Sequence, residues 1–158
     1  MAPGKKGRHK NQFMKKRTFY TLSLLCLAIA CKKDSPSPTQ LLSRNWIQTD
    51  ITLTANGATQ SIFAQQSVCD ADDIYAFAAA GTLTISEGAT KCDPANPDIK
   101  GTGTWTLESN NTKLAISDNV NGAQVFNVEK LTASDLVISD TATISGLFTK
   151  GTLYFKAH

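Results

Sequence analysis

The residues that could carry chemistry in this chain are few, and most are acids and cysteines. The only histidines are His9 and His158, one near each end. Without a histidine between them, a serine or cysteine nucleophile lacks its usual base, and zinc lacks its common nitrogen ligand. No spacing singles out a carboxylate pair for acid–base work. The expectation is a protein that is not an enzyme and takes no cofactor. The densest polar group is acidic: Asp70, Asp72 and Asp73 follow Cys69, while Asp93 and Asp98 follow Cys92. Oxygen ligands gathered in loops suit Ca²⁺, so Asp70, Asp72, Asp73 and Asp93 are weak calcium candidates. No complete calcium-loop pattern is present, aspartate is common in turns, and Lys91 and Lys100 lie close enough to neutralise the group. The simpler expectation is no metal.

Cys31 offers a different chemistry. Lys15-Lys16-Arg17 precede an apolar run of ten residues, Thr21 to Ala30. That length suits a signal-peptide core and is too short to span a bilayer as a helix. The run ends Leu27-Ala28-Ile29-Ala30-Cys31, which resembles the lipobox cut by lipoprotein signal peptidase, with the leucine one place earlier than usual. Small Ala30 fits the peptidase pocket. The Cys31 thiol would then carry a diacylglycerol in a palmitate-bearing anchor. Residues 1–13 precede the basic start that such leaders show, which offers Met14 as an alternative initiator. Residues 1–30 thus read as leader and signal peptide, 31–38 as a lipid-anchored, proline-bearing tether, and 39–158 as one domain. Lys32 rather than Asp follows the anchor, so the inner-membrane retention signal is absent and the expected location is the outer membrane. Lys32-Lys33-Asp34 resembles the charged tags that send some lipoproteins to the cell surface; alternatively, it only keeps the tether solvated on the periplasmic face.

Charge follows from the same division. Residues 1–31 hold seven basic residues and no acid; residues 32–158 hold nine basic against thirteen acidic, a net charge of −4. The basic surplus belongs to the leader, and no nucleic-acid partner is expected. Of four cysteines, Cys26 leaves with the leader and Cys31 is lipidated. Cys69 and Cys92 remain, and in an exported chain they read most simply as one disulfide.

The elements that must position these residues are strands. Thr, Val, Ile and aromatics dominate after residue 45, with Gly/Asn/Asp/Ser clusters about every ten residues. Eight strands are expected, near Trp46–Leu53, Ile74–Ala79, Thr82–Glu87, Gly103–Leu107, Lys113–Ser117, Gln124–Lys130, Leu136–Ser139 and Lys150–Ala157. One helical turn over Thr39–Ser43 precedes them. Short connections and the lack of helical periodicity between strands favour an all-β, eight-stranded antiparallel up-and-down β-barrel, with a sandwich as the alternative. If Ala80-Gly81 form a two-residue turn, paired positions sum to 161. Phe77 then faces Thr84, Tyr75 faces Ser86, and Cys69 faces Cys92. Ala-Gly is not a favoured two-residue turn, so a one-residue slip is the competing register.

Three segments carry a resemblance. They are Leu41-Leu42 before Trp46, the run Cys69-Asp70-Ala71-Asp72-Asp73-Ile74-Tyr75-Ala76-Phe77, and Gly81 to Cys92 followed by Gly103-Thr104-Trp105. Together they are similar to the small lipocalin-like lipoproteins of bacterial envelopes. The resemblance implies an eight-stranded barrel and, in most members, no assigned activity. Two departures stand out: the lipocalin Gly-x-Trp opening is Arg44-Asn45-Trp46 here, and no arginine near the last strand can cap that tryptophan.

The apolar residues support two expectations. Trp46, Tyr75, Phe77, Trp105 and Phe126 could line a cavity for a small hydrophobic ligand. They could equally join Ile47, Ile51, Leu83, Ile85, Leu114, Ile138, Tyr154 and Phe155 in a filled core, since eight strands enclose barely enough space for side chains. Asp140-Thr141-Ala142 resembles a bacterial O-glycosylation motif and otherwise reads as loop. The expected function is a lipid-anchored module with a binding or structural role. The alternatives are a carrier of a small hydrophobic ligand and a module that meets an envelope protein partner.

Overall fold

The structure, a computed structural model, describes Gly4, residues 35–144 and residues 146–158. The chain divides into two units, Met1–Lys33 and Asp34–His158. The expected signal peptide, the Cys31 anchor and Lys32-Lys33-Asp34 lie outside the described residues. The second unit begins with helix α1 (Pro38–Leu42). Ser37 starts it: its hydroxyl accepts from Gln40 N at 3.2 Å, and Gln40 Oε1 accepts from Ser37 N at 2.8 Å. This reciprocal cap, with Pro38 opening the first turn, is why so short a helix forms.

Nine strands follow: β1 (Asn45–Ala55), β2 (Ala58–Ser61), β3 (Ile74–Phe77), β4 (Thr82–Ser86), β5 (Ile99–Glu108), β6 (Lys113–Asp118), β7 (Gly122–Leu131), β8 (Asp135–Ile144) and β9 (Leu147–Ala157). From β3 onward each strand pairs antiparallel with the next, and β9 returns to pair with β1. Eight strands therefore close into an up-and-down barrel, and all eight expected strands are among them. The ninth, β2, was not anticipated. It shares one edge of β1 with β3: β3 pairs with Asn45–Ile47 and β2 with Thr52–Ala55. All four β2 residues are exposed, so no apolar alternation marks it. Its signal is the turn instead, because Asn56 and Gly57 both take positive φ, as a tight Asn-Gly hairpin requires.

Three expectations need correction. The β3–β4 register sums to 160: Phe77 faces Leu83 and Tyr75 faces Ile85. The cause is a three-residue loop. Gly81 N donates to Ala78 O at 2.9 Å, and Gly81 takes φ +84°, so the turn ends in a left-handed glycine that shifts the pairing by one. Second, Asp140-Thr141-Ala142 is not a loop; it lies within β8, whose hairpin with β9 continues to Ile144 opposite Leu147. Third, Ile47 and Tyr154 do not join the core, because each sits between two inward residues and the pleat sends it outward. On β1 the inward set changes parity. The register shifts between Gln48 and Asp50, leaving Thr49 as an extra residue, so Trp46 and Gln48 share the interior with Ile51.

One end of the barrel is closed. There α1 meets the start of β1, the β3–β4 and β7–β8 turns, and the chain's last residue. Leu42 and Trp46 are 0% exposed, and the Trp46 indole N–H donates to Leu42 O at 2.9 Å. The carbonyls of Arg44 and Asn45 accept from Phe77 N and His158 N, both at 3.0 Å. The arginine missing from the last strand is supplied from elsewhere. Arg44 lies over the Trp46 ring, 5.7 Å from its centroid, and its guanidinium donates to Ala133 O in the β7–β8 turn. Replacing Arg44 by alanine removes the cation over the ring and a charged hydrogen bond. The expected cost is about 2 kcal/mol of unfolding free energy in urea titration; an unchanged midpoint would show that the contact adds nothing.

Candidate functional site

The other end is open. A single 3-10 turn (Phe63–Gln65), helix α2 (Val68–Ala71) and the loop 87–98 gather over this mouth. Cys69 and Cys92 are joined in a disulfide, with Cα atoms 5.1 Å apart. The pairing is the expected one, reached by a different route: Cys69 sits in α2, capped by the Ser67 hydroxyl, not in a strand opposite Cys92. Cross-linking a loop of this length restricts the unfolded chain by about 3 kcal/mol. Gly88 allows the close approach, since a Cβ there would lie 2.1 Å from Asp72 O.

The acids around this staple do not form a calcium cage. Lys100 Nζ sits between Asp70 and Asp73, at 2.6 and 2.7 Å, where an ammonium takes the place a metal would. Asp72 turns away to accept from Thr90 N at 2.8 Å, and Asp93 accepts from Ala95 N at 2.9 Å. Asp98 pairs with Lys91. Among the described residues, one group of three potential ligands comes together, Cys69, Asp70 and Cys92, and its two sulfurs are already bonded to each other.

The lysine serves its two partners unequally. Its hydrogen bond, with a second from Ser67, holds exposed Asp70 below the ordinary 3.8. Asp73 is only 5% exposed. There burial outweighs the same cation and pushes the carboxyl up. For Lys100 itself, desolvation works against the charge but is overcome by the bonds to Asp70 and Asp73, so its pKa rises. Asp73 Oδ1 and Gln66 Oε1 are buried without a hydrogen-bond partner in the protein.

Below this lid a cavity of about 220 Å³ runs into the barrel. Tyr75, Phe77, Leu83 and Ile85 line it from the β3–β4 hairpin; Phe126, Leu136, Ile138 and Phe155 line it from the far wall. Its polar residues are Gln48, Gln66, Asp118, Asn121 and Gln124. A second recess of about 220 Å³, bounded by Asp70, Asp73 and Lys100, shares Gln66, Tyr75, Ile85 and Asn121 with it. The two recesses are therefore neighbours, one lined mainly by apolar and the other mainly by polar side chains.

Of the five expected cavity aromatics, Tyr75, Phe77 and Phe126 line this space, and two do not. Trp46 belongs to the closed end. Trp105 is used structurally: its indole N–H donates to Ala78 O and Thr82 O, each at 3.1 Å, and its edge meets Phe77 with centroids 5.9 Å apart. The filled-core expectation holds in part: Phe77, Leu83, Ile85, Phe126, Leu136, Ile138 and Phe155 belong to one buried cluster and Tyr75 meets Phe155 edge-on, while the cavity occupies the space left between them. The polar lining escaped sequence reading. Gln48 could have been found, two residues beyond inward Trp46; Gln66 and Asn121 lie in loops that carry no periodic signal.

No family model matches this chain, and no curated protein does. Among solved structures, a lipocalin-like protein from Bacteroides uniformis aligns at 16% identity with a TM-score of 0.48, covering 75% of this chain and 99% of that one.

Lys100→Met leaves Asp73 buried without its cation, and should destabilise the fold by about 3 kcal/mol at neutral pH. Asp70 sits below its unfolded value, so its pairing contributes above pH 3.8 and is lost as the pH falls through its folded pKa. The raised Asp73 works oppositely, disfavouring the folded state once ionised. Both effects shrink the variant's deficit in acid. Urea unfolding of the two proteins across pH 3–7 checks this; a deficit constant down to the acid end would assign the lysine's role to packing.

Proposed function

We propose that the chain is an exported, lipid-anchored binding module of the outer membrane whose barrel holds one small molecule with an apolar body. The carrying observation is the cavity. At about 220 Å³ it exceeds the ~150 Å³ that admits benzene in a protein interior, and it falls short of the roughly 300 Å³ at which drug-sized sites begin. A single ring with a short chain matches it; a long acyl chain does not. No role here calls for catalysis, metal or nucleic acid.

The anchor reading rests on the sequence around Cys31. Cys31→Ala should abolish lipidation and move the protein from the membrane fraction to the soluble one, read by fractionation and intact mass. Unchanged membrane retention would refute the anchor. A second reading, an envelope protein partner held at the rim, is favoured by exposed apolar residues at the mouth end. These include Val68, Ile99, Val120 and Phe148, the last 68% exposed.

Calorimetric titration with 4-phenylbutanol separates the two readings. The full chain should bind it at one site, and Ile138→Trp, which fills the cavity, should weaken binding by about tenfold or more. Failure of the wild-type protein to bind would sink the carrier role and favour the rim.

A further inference from the structure

The chemistry of the throat narrows the ligand class. This step rests on the carrier reading and concerns the polar head of the molecule. The two recesses meet at Tyr75 and Gln66, which line both. Around that junction stand three carboxylates, Asp70, Asp73 and Asp118, against one ammonium, Lys100, for a net charge of −2. Lys100 offers little to an incoming anion, since it is already held by both Asp70 and Asp73.

The unsatisfied groups point the same way. Asp73 Oδ1 and Gln66 Oε1 are acceptors, buried and without a partner, and Asp73 as a whole is 5% exposed. A buried acceptor left empty costs about 1–3 kcal/mol, which a donor brought by a ligand recovers. Tyr75 adds an aromatic ring beside these carboxylates, its edge-on contact with Phe155 holding it at 5.4 Å between centroids. Carboxylates with an adjacent aromatic ring form the usual receptor for an ammonium group. Burial, and after it the charge of Asp73, push the Tyr75 hydroxyl up, with Lys100 acting against them.

We propose that the throat of this barrel, built by Asp73, Gln66, Tyr75 and Asp118, selects apolar molecules with a cationic, hydrogen-bond-donating head, of the primary-amine class, over carboxylates with the same body. The amine lies at the mouth and its hydrocarbon runs inward between Phe77 and Phe126. A carboxylate in that position meets the net negative charge and finds two acceptors where it needs donors.

The test uses three probes with one body: 4-phenylbutylamine, 4-phenylbutanol and 4-phenylbutyrate, titrated calorimetrically into the purified full chain at pH 7. The amine should bind about tenfold or more tighter than the carboxylate, with the alcohol between them. Asp118→Asn removes one charge, yet its side-chain oxygen can still accept from Val120 N and Asn121 N as Asp118 Oδ1 does at 2.8 and 2.5 Å. That variant should narrow the amine-to-carboxylate ratio severalfold. Gln66→Leu should weaken the amine and leave the carboxylate unchanged. Equal affinities for all three probes, or a preference for the carboxylate, would overturn the head-group proposal while leaving the carrier reading intact. If none of the three binds, both fall.

Discussion

The ladder between β1 and β9, running from Trp46 opposite Ala157 to Ala55 opposite Thr149, turns a meander into a barrel. Without it β9 would end the sheet as a free edge, and Phe155 and Leu153 would lose the wall they face. Closure also imposes the bulge at Thr49, where β1 gains one residue against β9. That extra residue places Trp46 and Gln48 on the inner face below it and Ile51 above. One irregularity thus serves both ends: a tryptophan for the sealed base and a glutamine for the cavity wall.

The two ends are built by different physics. At the base, Leu42, Trp46 and Arg44 form a stack in which apolar burial, an indole hydrogen bond and a cation over the ring act together. At the mouth the lid has little apolar cover. It is held by the Cys69–Cys92 bond, the cap on α2 and the shared cation between Asp70 and Asp73. A lid assembled this way encloses polar and ionic groups beside an apolar chamber. The result is a gradient along the barrel axis, from hydrocarbon to carboxylate, which a sealed hydrophobic core would not have. In the proposed carrier role, such a gradient would orient an amphipathic ligand.

The economy of the ion cluster has a cost in stability. Asp73 is buried and its second oxygen has no partner, an arrangement that a fold selected only for stability would replace by an apolar side chain. Its open acceptor lies in the recess that Tyr75 and Gln66 also line. The space itself has a like cost: larger residues at positions 83 or 138 would close it and add packing energy.

Much of this architecture was legible in the chain. Eight strands, their antiparallel order and the barrel followed from alternation and turn spacing, which are local properties that each segment carries by itself. The helical turn over Thr39–Ser43 was anticipated, but its Ser37 cap and Pro38 start had been assigned to the tether. The cysteine pairing was reached by elimination. Only the tertiary structure decided the rest, because it depends on which strand lies beside which and by how many residues each is offset. A left-handed Gly81 moved the β3–β4 register by one, the Thr49 bulge changed which face of β1 looks inward, and α2 carried Cys69 to its partner from outside the sheet. Arg44 replaced the missing distal arginine because closure brings residue 133 beside residue 44. The cavity is the clearest case. Periodicity says that Tyr75, Phe77 and Phe126 point inward, but whether their rings meet or leave a chamber is set by the distance between walls 49 residues apart in sequence, and no local signal encodes it.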